Sequence, residues 1–101
     1  PVSCAAAVAV MEEIEARDLT ARAREIEALL LPKLRAMQAA NPAIGDVRGR
    51  GAMLAIEIVT PGTTDADSAL VASVIERAAK AGVVLLSAGT YGNVTLQARH
   101  N

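Results

Sequence analysis

The chain has 101 residues, 52% of them apolar but only one aromatic, Tyr91, and its 10 basic and 11 acidic side chains leave a formal charge of −1. With no basic stripe and no stacking platform, nucleic-acid binding is not expected. The lone Cys4 cannot close an internal disulfide and no apolar run is long enough to span a bilayer, so a reducing, cytoplasmic setting is expected.

The length suits one small domain. Its core must be built from Ala, Val, Leu, Ile and Met. Such a core buries little surface per residue, so part of the apolar surface is expected to meet a partner or a further part of the same protein. Pro1 suits the first turn of a helix. Ala5 to Arg17 reads as helical, with Ala7, Val10, Met11 and Ile14 on one side, and Cys4 is expected to be a small buried apolar residue there. Entering a helix at once from Pro1, without a charged leader, reads as a piece of something longer.

Asp18 can cap the next helix. There Leu19, Ala23, Ile26, Leu30, Leu34 and Met37 form one apolar stripe, while Arg22, Arg24, Glu25 and Glu27 are expected to be a solvated outer face. Pro32 should kink this helix near Ala28 to Lys33, and Asn41-Pro42 should end it. Ile44 to Val47 is a short extended piece before a glycine turn. Met53 to Val59 alternates as a strand, with Leu54, Ile56 and Ile58 on one face and Met53, Ala55, Glu57 and Val59 on the other. Asp65 or Asp67 caps a third helix whose buried stripe is Val71, Val74, Ile75 and Ala78, and Gly82 stops it. Val83 to Leu86 and Val94 to Leu96 are short strands, and Gln97 to Asn101 is a polar tail. The order predicts an α+β domain in α/β-type layers, a small sheet with helices packed on one face. Parallel and antiparallel pairing across the helical crossover both remain open.

The turn Gly45-Asp46-Val47-Arg48-Gly49-Arg50-Gly51 is the strongest candidate for chemistry. Glycines bring backbone close to a neighbour, and an arginine there offers a planar donor fork for a carboxylate or phosphate. The same turn would equally serve as a plain connection with solvated arginines. His100 is the only histidine and lies in the tail, so a His-based metal site or triad is excluded. Lys33 and Lys80 fall on outer helix faces and do not read as Schiff-base lysines. Glu57 is either a functional carboxylate or a half-exposed strand residue. Tyr91 either lines a ligand pocket or caps the edge of a thin core.

Three stretches resemble the class III pyridoxal-phosphate aminotransferases, and among them the 4-aminobutyrate branch. Pro1-Val2-Ser3-Cys4-Ala5-Ala6-Ala7 is similar to the family's Asn-Pro-x-x-Cys/Ala-Ala-Ala-Ala helix start. Asn41-Pro42-Ala43-Ile44-Gly45-Asp46-Val47-Arg48-Gly49-Arg50-Gly51-Ala52-Met53 is close to His-Pro-x-Ile-Gly-Asp-Val-Arg-Gly-x-Gly-Leu-Met. Gly89-Thr90-Tyr91-Gly92-Asn93-Val94 looks like Gly-x-Tyr-x-Asn-Val. The resemblance covers residues 1–94 and leaves 95–101 as an atypical tail.

The resemblance implies that residues 1–101 are a single domain, the C-terminal small domain of a fold-type I transferase. The complete enzyme would be a homodimer that uses pyridoxal phosphate and moves an amino group from 4-aminobutyrate to 2-oxoglutarate. Its substrates would be an amino acid and a 2-oxo acid. This domain would pack on a large cofactor domain and a second subunit, with no nucleic acid or membrane involved. The family's carboxylate-binding arginine maps onto Arg48, as a substrate-binding residue, whereas Arg50 inherits no role. The lysine and other residues that hold the cofactor have no counterpart here, so the chain alone is expected to bind no cofactor, to contain no catalytic residue and to be inactive. Other class III substrates (ornithine, acetylornithine or a β-amino acid) and a non-enzymatic carboxylate-binding or interaction module are the alternatives.

Overall fold

A computed structural model of the chain describes residues 1–97; the expected tail, with His100, lies largely outside the described residues. The elements are α1 (Val2–Ala16), α2 (Leu19–Ala40), β1 (Ile44–Arg50), β2 (Met53–Ile58), α3 (Ser68–Lys80), β3 (Leu85–Ala88) and β4 (Val94–Gln97). The strands form one antiparallel sheet in the order β1-β2-β4-β3. The pairing left open by the sequence is thus decided by β4. It folds back from β3 through a short glycine-containing loop and inserts between β3 and β2. Closing so short a loop costs little chain entropy. The two strands joined by α3 therefore never touch.

The glycine corner differs most from expectation. Ile44 to Val47 is the start of a seven-residue strand that runs through both arginines. The turn itself is only Gly51-Ala52, since Arg50 pairs with Met53. Gly51 has φ 60, and Ala52 has no positive φ, the φ pattern of a type II′ hairpin turn with glycine in its first central place. Glu27 does not belong to a solvated face. Its carboxylate accepts the Gly51 N–H at 2.5 Å, pinning the hairpin tip to α2.

Strict alternation would send Ile44 and Val47 to opposite faces. A register shift between Ile44 and Asp46 acts as a bulge, and both side chains reach the helix-covered face. There Ile44, Val47, Ile58 and Val71 form the buried cluster, with Leu31, Leu34, Ile56 and Ile75 packed around it. Residues of α2 and α3 join this one cluster, so both helices cover the same face. Leu54, also on this face, is almost completely buried. The same bulge leaves Asp46 and Arg48 on the opposite, open face.

Helix α3 follows its sequence closely. Val71 is buried, and Val74, Ile75 and Ala78 are half-buried. Asp67 is the cap, accepting the Leu70 N–H at 2.9 Å. At the other end Gly82 donates to the Ala79 carbonyl and Val83 to the Ala78 carbonyl, a Schellman ending. That ending uses Val83, and the strand expected over Val83–Leu86 instead spans Leu85–Ala88. Asp67→Ala should lower stability by about 1 kcal/mol through the lost cap, read as a lower thermal midpoint.

Helix α2 continues unbroken through Pro32, and Asp18 caps it from a left-handed backbone at φ 45 by accepting the Ala21 N–H. Helix α1 starts at Val2, directly after Pro1 as expected, and buries no residue. Cys4 is accordingly exposed, contrary to expectation, because among the described residues no second layer lies over this helix. Val2, Val8, Val10 and Met11 are all more than half exposed. The chain presents 7156 Å² to solvent. A compact monomer of this size presents roughly 5,400 Å².

Candidate functional site

The open face of the β1–β2 hairpin carries a charge cluster dictated by strand register. Asp46 sits directly opposite Glu57, and Arg48 opposite Ala55. Two carboxylates facing each other across strands repel. Arg48, diagonal to Glu57 and on the same face, resolves the conflict. Its Nη1 donates to Asp46 Oδ2 and to Glu57 Oε2, both at 2.6 Å. The hydrogen bond to Asp46, then that to Glu57, raises the guanidinium pKa above its ordinary value. Arg48 is thus a permanent cation, as a guanidinium is in proteins.

The cluster is open to water. The side chains of Arg48 and Asp46 are about half exposed and that of Glu57 is 33% exposed. Such an accessible ion pair contributes only ~0–1 kcal/mol to stability. Behind it, Asn93 is 4% exposed. Its Nδ2 donates to the Ile58 carbonyl at 3.1 Å and to Glu57 Oε1 at 3.3 Å, and its own carbonyl accepts the Ile58 N–H at 2.8 Å. Asn93 thus ties the loop before β4 to the end of β2 and holds the carboxylate that holds Arg48.

Glu57 and Asn93 also line an open groove of about 340 Å³ with Thr64, Asp65, Ala66 and Tyr91. Tyr91 is 75% exposed, so it walls this groove and does not cap the core. Of the sequence candidates, Arg48 and Glu57 come together and Tyr91 stands at the groove beside them. Arg50 is exposed and makes no ion pair among the described residues. Asp46 as a partner of Arg48, and Asn93 as a partner of Glu57, went unrecognised. The signal for Asp46 was present, since residues 46 and 48 share a face in any strand. That for Asn93 was not, because its carboxylate partner lies 36 residues away.

Lys80 is exposed and bound to Glu76 at 2.7 Å, and Lys33 is exposed on α2. Among the described residues no group of His, Cys, Asp and Glu could hold a metal ion, and no helix is long and apolar enough to cross a membrane.

The chain is a small α+β domain that offers an arginine fork on the open face of a hairpin, and solved structures share its fold. The family model for class III aminotransferases matches residues 1–98, and the chain belongs to that family. It is 48% identical over 94 residues to a 4-aminobutyrate aminotransferase of Mycobacterium tuberculosis, covering 93% of this chain and 21% of that protein. It is 45% identical over 94 residues to the 5-aminovalerate aminotransferase DavT of Pseudomonas putida, covering 93% of this chain and 22% of that protein. Among solved structures, a phospholyase from Arthrobacter in complex with phosphoethanolamine superposes with a TM-score of 0.85 at 31% identity, over 96% of this chain and 23% of that one. A Bacillus anthracis aminotransferase gives 0.80 at 30% identity, over 97% and 23%. The chain thus spans about a fifth of the length of these relatives. The family implies pyridoxal phosphate in the complete enzyme.

Proposed function

We propose that residues 1–101 are the C-terminal small domain of a 4-aminobutyrate-type aminotransferase, and that Arg48 receives the carboxylate of its substrates. The complete enzyme is a cytoplasmic homodimer that transfers the amino group of 4-aminobutyrate to 2-oxoglutarate. This chain supplies one wall of the site and no catalytic residue, and it is inactive alone. The observation that carries the reading is the Arg48 guanidinium, held by Asp46 and Glu57 on the open sheet face where an acid substrate can reach it. A guanidinium edge matches a carboxylate in two parallel hydrogen bonds. The test is a donor panel on the full-length enzyme with 2-oxoglutarate as acceptor. 4-Aminobutyrate should give the highest kcat/KM, ahead of 5-aminovalerate, β-alanine, ornithine and acetylornithine. A preference for ornithine or acetylornithine would overturn the assignment.

The unburied α1 supports the reading of a domain that packs on more protein. It argues against a free-standing interaction module, which would close its core. The isolated chain should therefore raise the fluorescence of an apolar dye and self-associate on size-exclusion chromatography. A monomer silent to the dye would favour the module.

A further inference from the structure

The two oxygens on Arg48 both meet the same nitrogen. Nη1 carries two hydrogens, and Asp46 and Glu57 take them at 2.6 Å each. A guanidinium has five N–H donors in one plane. Among the described residues, nothing accepts from Nε or Nη2 of Arg48. The two carboxylates therefore occupy one corner of the group and leave free the edge that binds a carboxylate side-on.

The two supports are not equal. Asp46 is about half exposed and, among the described residues, bonds only Arg48 through its side chain. Glu57 is less exposed, and its second oxygen is held by Asn93. Asn93 in turn is buried and bonded to Ile58 through both side chain and main chain. A line of hydrogen bonds thus runs from the sheet through Asn93 and Glu57 to Arg48. We propose that Glu57 is a positioning residue for Arg48: anchored by Asn93, it fixes the guanidinium so that the Nε–Nη2 edge faces the incoming substrate carboxylate. This rests on the reading of Arg48 as the carboxylate receptor.

Charge and geometry pull in opposite directions here, which makes the proposal testable. One cation between two carboxylates leaves the cluster formally at −1, so removing Glu57 relieves repulsion of an acid ligand. It also frees a long, flexible side chain that must then be ordered on binding. If positioning dominates, the loss outweighs the relief.

The experiment measures glutarate binding to the full-length holoenzyme by calorimetry, with thermal midpoints followed in parallel. Glu57→Ala should weaken glutarate by about tenfold or more. Glu57→Gln, which keeps an acceptor for Arg48 and drops the charge, should stay within about threefold of the parent. Combining Arg48→Ala with Glu57→Ala should add nothing beyond Arg48→Ala alone. KM should rise for carboxylate-bearing donors and stay unchanged for a simple primary amine, a split that general loss of structure would not give. If Glu57→Ala does not fold, Glu57→Met, of similar length and without an acceptor, carries the same expectation. Should Arg48→Ala weaken glutarate while Glu57→Ala does not, the positioning role is overturned and the Arg48 reading stands. Should Arg48→Ala leave glutarate binding unchanged, the Arg48 reading itself falls, and the positioning role with it.

Discussion

Arg48→Ala in the full-length enzyme should lower kcat/KM for 4-aminobutyrate and 2-oxoglutarate by roughly 2–4 kcal/mol in transition-state terms. That corresponds to about 30- to 1,000-fold in rate. The magnitude assumes that the guanidinium meets its ligand away from water, as a closed active site provides. The same substitution should cost less than about 1 kcal/mol of stability, because the existing ion pairs are half exposed. Part of that small cost is the repulsion of Asp46 and Glu57, which would then face each other with no cation between them. Arg48→Lys keeps the charge but loses the planar fork, and should fall between the two. Unchanged kinetics for both substrates in Arg48→Ala would sink the role assigned to this residue. So would a loss of activity that merely tracks a loss of folded protein.

Gly49→Ala should be the most destabilising single-methyl change in the hairpin. Gly49 has φ 145, which an L side chain rarely adopts. A Cβ there would meet the Leu54 Cα at 2.7 Å and also collide with the Met53 carbonyl oxygen. Both are backbone atoms of the paired strand, so relief requires the β1–β2 ladder to move. Backbone strain together with overpacking should cost about 2–4 kcal/mol, a large share of a small domain's total. Gly62→Ala is the control. Its φ is 80 but nothing lies within 4 Å, so it carries the backbone term alone. The thermal midpoint of Gly49→Ala should lie clearly below that of Gly62→Ala, and equal midpoints would show that the strand contact is not as close as described.

Where partners are near in sequence, they were legible. The α3 stripe, the cap (at Asp67, one of the two aspartates expected) and the glycine stop at Gly82 all rest on spacings of a few residues and are found in the structure. Alternation in β2 put Glu57 on the face away from Leu54 and Ile58, as observed. Failures came where a distant residue decides the outcome. Glu27 seemed a solvated helix carboxylate, yet it holds Gly51 from 24 residues away. Arg48 seemed to sit in a loose turn because its glycine neighbours suggest one. Pairing with β2 extends the strand through it, since each ladder bond outweighs the local turn preference of glycine. Cys4 was expected inside because α1 is apolar, but burial depends on what packs over a helix, and nothing among the described residues covers this one.

The sequence by itself determined the three helices, the alternation of β2 and the family. These follow from local period, local capping and motif order, all written in contiguous residues. Only the tertiary structure decided the strand order, the bulge at Gly45 and the assembly of Asp46, Arg48, Glu57 and Asn93 into one cluster. A strand's period says which face a side chain takes, but not which strand lies beside it. Register supplies that second fact, and it turned an arginine near two glycines into a guanidinium with one corner occupied and one edge open.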